Sequence, residues 1–314
     1  MRLAIMIFGS LFGCRSEHST SVGQLPRDFV PEAWASSATS TWVTGYLGTA
    51  SAPLHQRTVA VFRLDEHGVA QEALNSPGYG VAIDVQGDQR WVAVGQPNPQ
   101  GSGSTYELWV SEPGRPWARR APIPAGSLVR LAVTEDGNGF AMGIRELWRY
   151  TPETGWASVG LPPDVTPLTG LSQGADGLWL GGRGLALSKD AGNTWNLVSA
   201  TPIDFLSHDQ VVEKNGRVGT LSASLPDWTT GPVPFGPVVA SRSAREGRAL
   251  MTADSRPGHE GAFILFRQAL SGQGWAQSHP RGPLGPNGFW LDHDGCLLKI
   301  DLSRSVSRSC PSRE

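Results

Sequence analysis

The chain has 314 residues, a formal net charge of −2 and only 17% charged residues, against 39 glycines and 24 prolines. A composition this poor in charge and this rich in turn formers argues against long surface helices and for short strands joined by many turns, an all-β chain. Lysine occurs only at Lys189, Lys214 and Lys299, and the densest arginine group, Arg115, Arg119 and Arg120, flanks a turn, so no basic stripe exists for nucleic acid.

In chain order, the first feature is a positive Arg2 followed by an apolar run that ends Leu11-Phe12-Gly13-Cys14. The run is too short to cross a bilayer, which takes about 20 residues. Leu three positions before the cysteine and a small residue just before it resemble a bacterial lipobox. That resemblance implies removal of residues 1–13, lipidation of Cys14 and attachment to a membrane through the N-terminal lipid, in the cell envelope. Residue 15 is Arg rather than the Asp of inner-membrane retention, so the outer membrane is favoured over the inner. Residues 14–33, with Ser, Thr, Gly and Pro and little apolar periodicity, read as a tether. The folded domain is expected over 34–309, with 310–314 as a tail. Once Cys14 is lipidated, Cys296 and Cys310 are left as an even pair in an oxidising compartment, so a disulfide is expected.

The body of the chain repeats. Trp117, Trp156 and Trp195 are spaced by 39 residues, as are Trp109 and Trp148, and Phe140 and Trp179. A period near 39 lies in the range of propeller blades. Clear units run from Val81 to Ala121, Leu128 to Leu161 and Leu168 to Ala200, each with an apolar strand, a turn, a Trp-Val-Ala-Val-Gly-like strand, a Leu-Trp-type strand, a tight turn and Trp. Weaker units span Thr41 to Leu74, Phe205 to Phe235, Val238 to His279 and Phe289 to Arg308. Dividing the folded length by the period gives a β-propeller of four-stranded blades, seven expected and six the alternative. The last unit is short of strands, and a strand near Trp34 to Tyr46 is the expected closure of the ring.

Ser188-Lys189-Asp190-Ala191-Gly192-Asn193-Thr194-Trp195 resembles the Asp-box, or BNR repeat, of sialidase-like propellers. The resemblance implies a structural turn between the two outer strands of a blade, with Ser188, Asp190, Gly192 and Thr194 shaping the turn and Trp195 packing between blades. Ser111 to Trp117, Thr151 to Trp156 and Ser271 to Trp275 are degenerate copies without the Asp.

The chemistry-bearing residues are sparse. Sialidases carry a Phe/Tyr-Arg-x-Pro signature, and Phe62-Arg63-Leu64-Asp65 has Asp where that pattern has Pro. Tyr106-Glu107 puts its two side chains on opposite faces of a strand. Asp292-His293-Asp294 places its carboxylates on one face and the imidazole on the other, which reads as a turn before Gly295 and not a metal site. The insertions Gln96 to Thr105 and Asp254 to Gly261 are loop candidates for a binding face. The expectation is a monomeric, non-catalytic, membrane-anchored binding or scaffold module for a protein or glycan, with no catalytic residues, metal or cofactor assigned. A sialidase-like hydrolase or lyase on the same fold is the alternative.

Overall fold

A computed structural model describes residues 18–310 apart from 50, 75, 99–102, 113, 129, 135, 175–176, 208–209, 222–224, 232–235, 245–246, 256–261, 270–274, 279, 281–287 and 293. Cys14 lies outside the described residues. Among the described residues, twenty-eight strands form seven antiparallel four-stranded sheets, so the chain is a seven-bladed β-propeller.

Blade 1 comprises β2 (Phe29–Ser36), β3 (Thr41–Leu47), β4 (Thr58–Asp65) and β5 (Gly68–Glu72). Blade 2 has β6 (Tyr79–Gln86), β7 (Gln89–Pro97), β8 (Ser104–Ser111) and β9 (Ala118–Ile123). Blade 3 has β10 (Arg130–Val133), β11 (Gly139–Met142), β12 (Leu147–Thr151) and β13 (Gly155–Ser158), and blade 4 has β14 (Gly170–Gly174), β15 (Gly177–Gly181), β16 (Leu185–Ser188) and β17 (Asn196–Ser199). Blade 5 follows with β18 (Ile203–Ser207), β19 (Gln210–Glu213), β20 (Arg217–Thr220) and β21 (Asp227–Thr230). Blade 6 is β22 (Val238–Ala244), β23 (Gly247–Ala253), β24 (Phe263–Ala269) and β25 (Ala276–Ser278), and the C-terminal blade 7 supplies β26 (Phe289–Leu291), β27 (Leu297–Ile300) and β28 (Ser305–Cys310).

Burial explains which strands carry a readable pattern. The second strand of a blade is covered on both faces by its neighbours, and β11 and β19 are buried at every position. Such strands read as continuous apolar runs. The fourth strand lies at the rim, and β9, β13, β17 and β21 are mostly exposed or half-buried. Seven apolar clusters follow from this, each bridging two adjacent blades. Trp91 and Leu108 meet Leu131 and Tyr150 between blades 2 and 3, and Val43 and Phe62 meet Leu298 and Ile300 between blades 1 and 7. Because every sheet face is shared with a neighbour, the ring must close for each cluster to be complete.

Closure corrects the expected boundaries. The fourth strand of blade 7 is β1 (His18–Gln24), which pairs antiparallel with β28, from His18 opposite Cys310 to Gln24 opposite Ser305. The chain from 34 to 46 instead belongs to β2 and β3 of blade 1. The stretch 14–33 is therefore not all tether: it holds the closing strand, described from His18, and the start of β2. At the other end, Cys310 is the last residue of β28, not the first of a tail. Two links hold this joint. A disulfide joins Cys296 to Cys310, with Cα atoms 4.3 Å apart. Arg308 donates to Asp292 through Nε at 2.6 Å and to Asp294 through Nη2 at 2.6 Å, while Asp292 also accepts the backbone N–H of Asp294 and of Cys296. Both carboxylates thus pair with one guanidinium, and Asp292 also shapes a turn; His293 lies outside the described residues.

Candidate functional site

The turn Ser188 to Trp195 joins β16 to β17 in blade 4. Its geometry follows from a short polar side chain at each end. Ser188 Oγ donates to Asp190 Oδ1 at 2.8 Å and accepts the N–H of Gly192 at 2.7 Å. Asp190 also accepts the N–H of Thr194 at 2.8 Å and its hydroxyl at 2.7 Å. These donors, the Thr194 hydroxyl foremost, hold the Asp190 carboxyl down at about 2. Gly192 sits at φ +89°, where a Cβ would also come within 2.7 Å of Val159. Trp195 donates its indole N–H to Gly160 O, 2.8 Å away on the blade 3 side. Trp156 and Trp275 do the same toward Ala121 O and Thr230 O of their preceding blades, at 3.3 and 3.2 Å. The regular tryptophans are therefore seam residues between blades. The rings of Trp156, Trp195 and Trp275 are half-buried, however, while Trp117 is buried, and the fully covered tryptophans are Trp91 and Trp179 on second strands.

The residues weighed for glycosidase chemistry are dispersed. Arg63, on the third strand of blade 1, pairs with Asp65 at 2.9 Å and faces the Trp42 ring at 6.0 Å. Glu107, on the third strand of blade 2, is paired with Arg119 at 2.6 Å. Neither lies on an inner strand. Arg115 and Arg120 both pair with Glu112, which accounts for the arginine group as a tied-down turn. Gln96 to Thr105 and Asp254 to Gly261 both connect the second and third strands of their blades, and 99–102 and 256–261 lie outside the described residues.

What the structure does bring together is the central channel. The first strands of blades 1, 2, 3, 4, 6 and 7 line a cavity of about 200 Å³. In blades 1, 2, 5 and 6 the first strand carries a bulge at an equivalent position, and the strand register skips Glu32, Val81, Asp204 and Val239. A bulge re-aims one side chain without ending the sheet, and Glu32, Val81 and Val239 all line the cavity. Asp84 and Asp204 each reach the next blade, accepting the N–H of Val133 at 2.7 Å and of Val238 at 3.1 Å. Burial raises the Glu32 carboxyl above the usual range, and the Arg57 guanidinium offsets part of that rise. Arg130 lies with its guanidinium 5.4 Å from the Phe205 ring of blade 5. Burial pulls its pKa below the ordinary arginine value, against a smaller opposing effect of Asp84. An aromatic wall completes the lining: Trp34 and Trp290 stack within 5° of parallel at 6.5 Å across the closing seam, with Trp290 Nε1 donating to Ser36 Oγ at 2.7 Å.

Sequence reasoning singled out none of these channel residues. The available signal was a charge inside an apolar first-strand run, as in Val81-Ala82-Ile83-Asp84-Val85 and Arg130-Leu131-Ala132-Val133. Glu32 was hidden by the placement of the tether.

The same architecture recurs in solved structures of very different sequence. The chain is similar to the WD40 β-propeller domain of Doa1, with a TM-score of 0.59 at 5% identity over 95% of this chain and 98% of that one. It is similar to the extracellular domain of a protein designated the hybrid two component system BT3049 from B. thetaiotaomicron, with a TM-score of 0.53 at 10% identity over 93% of this chain and 41% of that one. The computationally designed Ika8 protein matches with a TM-score of 0.50 at 11% identity, over 93% and 99% of the two chains. At such identities the likeness is one of fold. No family model and no curated protein matches the chain.

Proposed function

We propose that this protein is a lipid-anchored, non-catalytic binding module of the cell envelope, a monomer that holds a protein or glycan at the mouth of its central channel. The observation that carries the binding half is the cavity at the ring axis, where six inner strands converge with bulged side chains and a stacked tryptophan pair. A propeller fold is compatible with binding and with catalysis, so the site must decide, and the charged residues considered for hydrolysis, Arg63 and Glu107, are each paired with an opposite charge on their own blade, on strands other than the inner one.

The lipobox-like end supports the anchor, and the closing strand gives it a direction. Cys14 precedes His18 by four residues, a span of at most about 14 Å in extended chain. His18 lies opposite Cys310, at the end of blade 7 where its third and fourth strands meet. The equivalent end of blade 4 carries the turn from Ser188 to Trp195. An acylated Cys14 would hold that end toward the lipid and leave the opposite mouth, with its longer loops, facing away. Two acyl chains suffice for stable attachment. Cys14→Ala should shift the protein from the membrane fraction to the soluble fraction or leave an uncleaved precursor, as read by fractionation and mass spectrometry. A variant that stayed in the membrane with the mobility of the wild type would contradict the anchor. For the binding half, the full-length protein presented to an array of glycans and peptides should retain a subset saturably, and uniform failure to retain any would count against it.

A further inference from the structure

A second cavity, of about 480 Å³, opens at one end of the seam between blades 3 and 4, over a floor of buried Phe140 and Leu178. Its rim-side wall is the turn after β16, with Lys189, and the end of β12, with Arg149; its axial wall is the turn joining β10 to β11, with Asp136. Arg149 Nη1 donates to Ala191 O at 3.3 Å and to Asn193 Oδ1 at 3.4 Å, which holds the guanidinium across the seam. Lys189 is exposed and Arg149 half-buried, and among the described residues neither makes an ion pair. Asp136 accepts the Thr134 hydroxyl, the Asn138 N–H at 3.2 Å and the Asn138 side-chain amide at 2.6 Å. These donors, the Thr134 hydroxyl foremost, hold its carboxyl below the usual range, so it is charged at neutral pH. The groove therefore carries positive charge toward the rim and negative charge toward the axis. Glu135 and Asp176, beside it in sequence, lie outside the described residues.

We propose that this groove seats the zwitterionic headgroup of a membrane phospholipid, with its phosphate toward Arg149 and Lys189 and its ammonium toward Asp136. Position and charge pattern point to lipid rather than to a free solute. The groove is walled by the turn after β16, and the equivalent end of blade 7 is where His18 meets Cys310. An acylated Cys14 would hold that end against the bilayer. A free phosphate dianion would gain from the rim-side wall and be repelled from the axial one, whereas a phosphodiester joined to an ammonium matches both. The guanidinium can take two phosphate oxygens side by side, and the lysine adds a mobile point charge. The volume of about 480 Å³ is the share of about sixteen waters at roughly 30 Å³ each, which leaves room for a phosphoethanolamine headgroup with its glycerol. This inference rests on reading Cys14 as an acyl anchor and adds what the ring touches at the membrane.

The test is thermal unfolding of the full-length protein in a neutral maltoside detergent, titrated at constant ionic strength with glycerophosphoethanolamine, glycerophosphoglycerol, ethanolamine or inorganic phosphate. Glycerophosphoethanolamine should raise Tm saturably, with an affinity about tenfold above the other three. Lys189→Glu changes an exposed side chain and should abolish the rise while leaving the Tm without ligand as in the wild type. Asp136→Asn should bring glycerophosphoethanolamine down to the level of glycerophosphoglycerol, because the ammonium loses its charge partner. A wild-type protein without saturable response would overturn the proposal. So would inorganic phosphate acting as strongly as glycerophosphoethanolamine, or a Lys189→Glu variant that keeps the response. The titration needs no anchor, so the two readings fail separately. A missing response while Cys14→Ala leaves the membrane would remove the groove and keep the anchor. A saturable response while Cys14→Ala stays in the membrane would remove the anchor and keep the headgroup site.

Discussion

A protein beginning at Leu25, without β1, should lose about 5 kcal/mol or more of stability and self-associate. Six residue pairs between β1 and β28 disappear, and a net contribution of roughly 0.5 to 1.5 kcal/mol for each lost backbone hydrogen bond accounts for most of that figure. Val22 also leaves the cluster between blades 7 and 1, which contains Leu298 and Val306. The newly bared β28 offers a row of unpaired donors and acceptors to any other chain. Against a total of about 5 to 15 kcal/mol, this is enough to populate open rings. The denaturant midpoint and the elution volume on size exclusion report the two effects. A truncated protein with the midpoint and volume of the full chain would show that the ring closes without its N-terminal strand.

Trp91→Ala should be the most damaging single truncation in the core, costing about 3 to 5 kcal/mol. The side chain is fully buried, meets Tyr150 edge-on at 5.4 Å and 85°, and meets Trp156 at 6.4 Å and 78°. Its ring also lies against Gly139, where an added Cβ would come within 2.7 Å of the indole. Alanine leaves a cavity between blades 2 and 3 that this close packing cannot collapse to fill. Trp91→Phe should cost much less, because the ring survives and the indole N–H, buried with no hydrogen-bond partner, is no loss. Trp195→Ala provides the contrast. It removes one hydrogen bond to Gly160 and a half-buried ring, worth about 1 to 3 kcal/mol together. Equal destabilisation by Trp91→Ala and Trp195→Ala in denaturant melts would refute the distinction between core and seam tryptophans.

That distinction marks where the sequence was legible. The 39-residue spacing of Trp117, Trp156 and Trp195 tracks a position after the turn between third and fourth strands, where blade geometry repeats, and it led to the blade count. Second strands such as Val92-Ala93-Val94 announced themselves because burial on both faces leaves no polar positions. β1 could not be found this way. His18-Ser-Thr-Ser-Val-Gly-Gln24 has one large apolar residue, as suits a rim strand with little to bury, and its pairing partner lies nearly 290 residues away. No local pattern encodes a contact at that separation. The channel was hidden for a related reason: Glu32, Asp84 and Arg130 come from three blades and converge only when the ring is assembled, and Glu32 projects from a bulge that no period of two reveals.

The proposed role of the channel is to hold a ligand rather than to cleave one, and a single measurement bears on that proposal most directly. Glycans retained by the full-length protein are incubated with it in molar excess and weighed by mass spectrometry alongside their binding isotherms. The account predicts saturable binding with every glycan recovered at its original mass. Time-dependent release of a sugar in proportion to protein concentration would contradict it and make the propeller an enzyme.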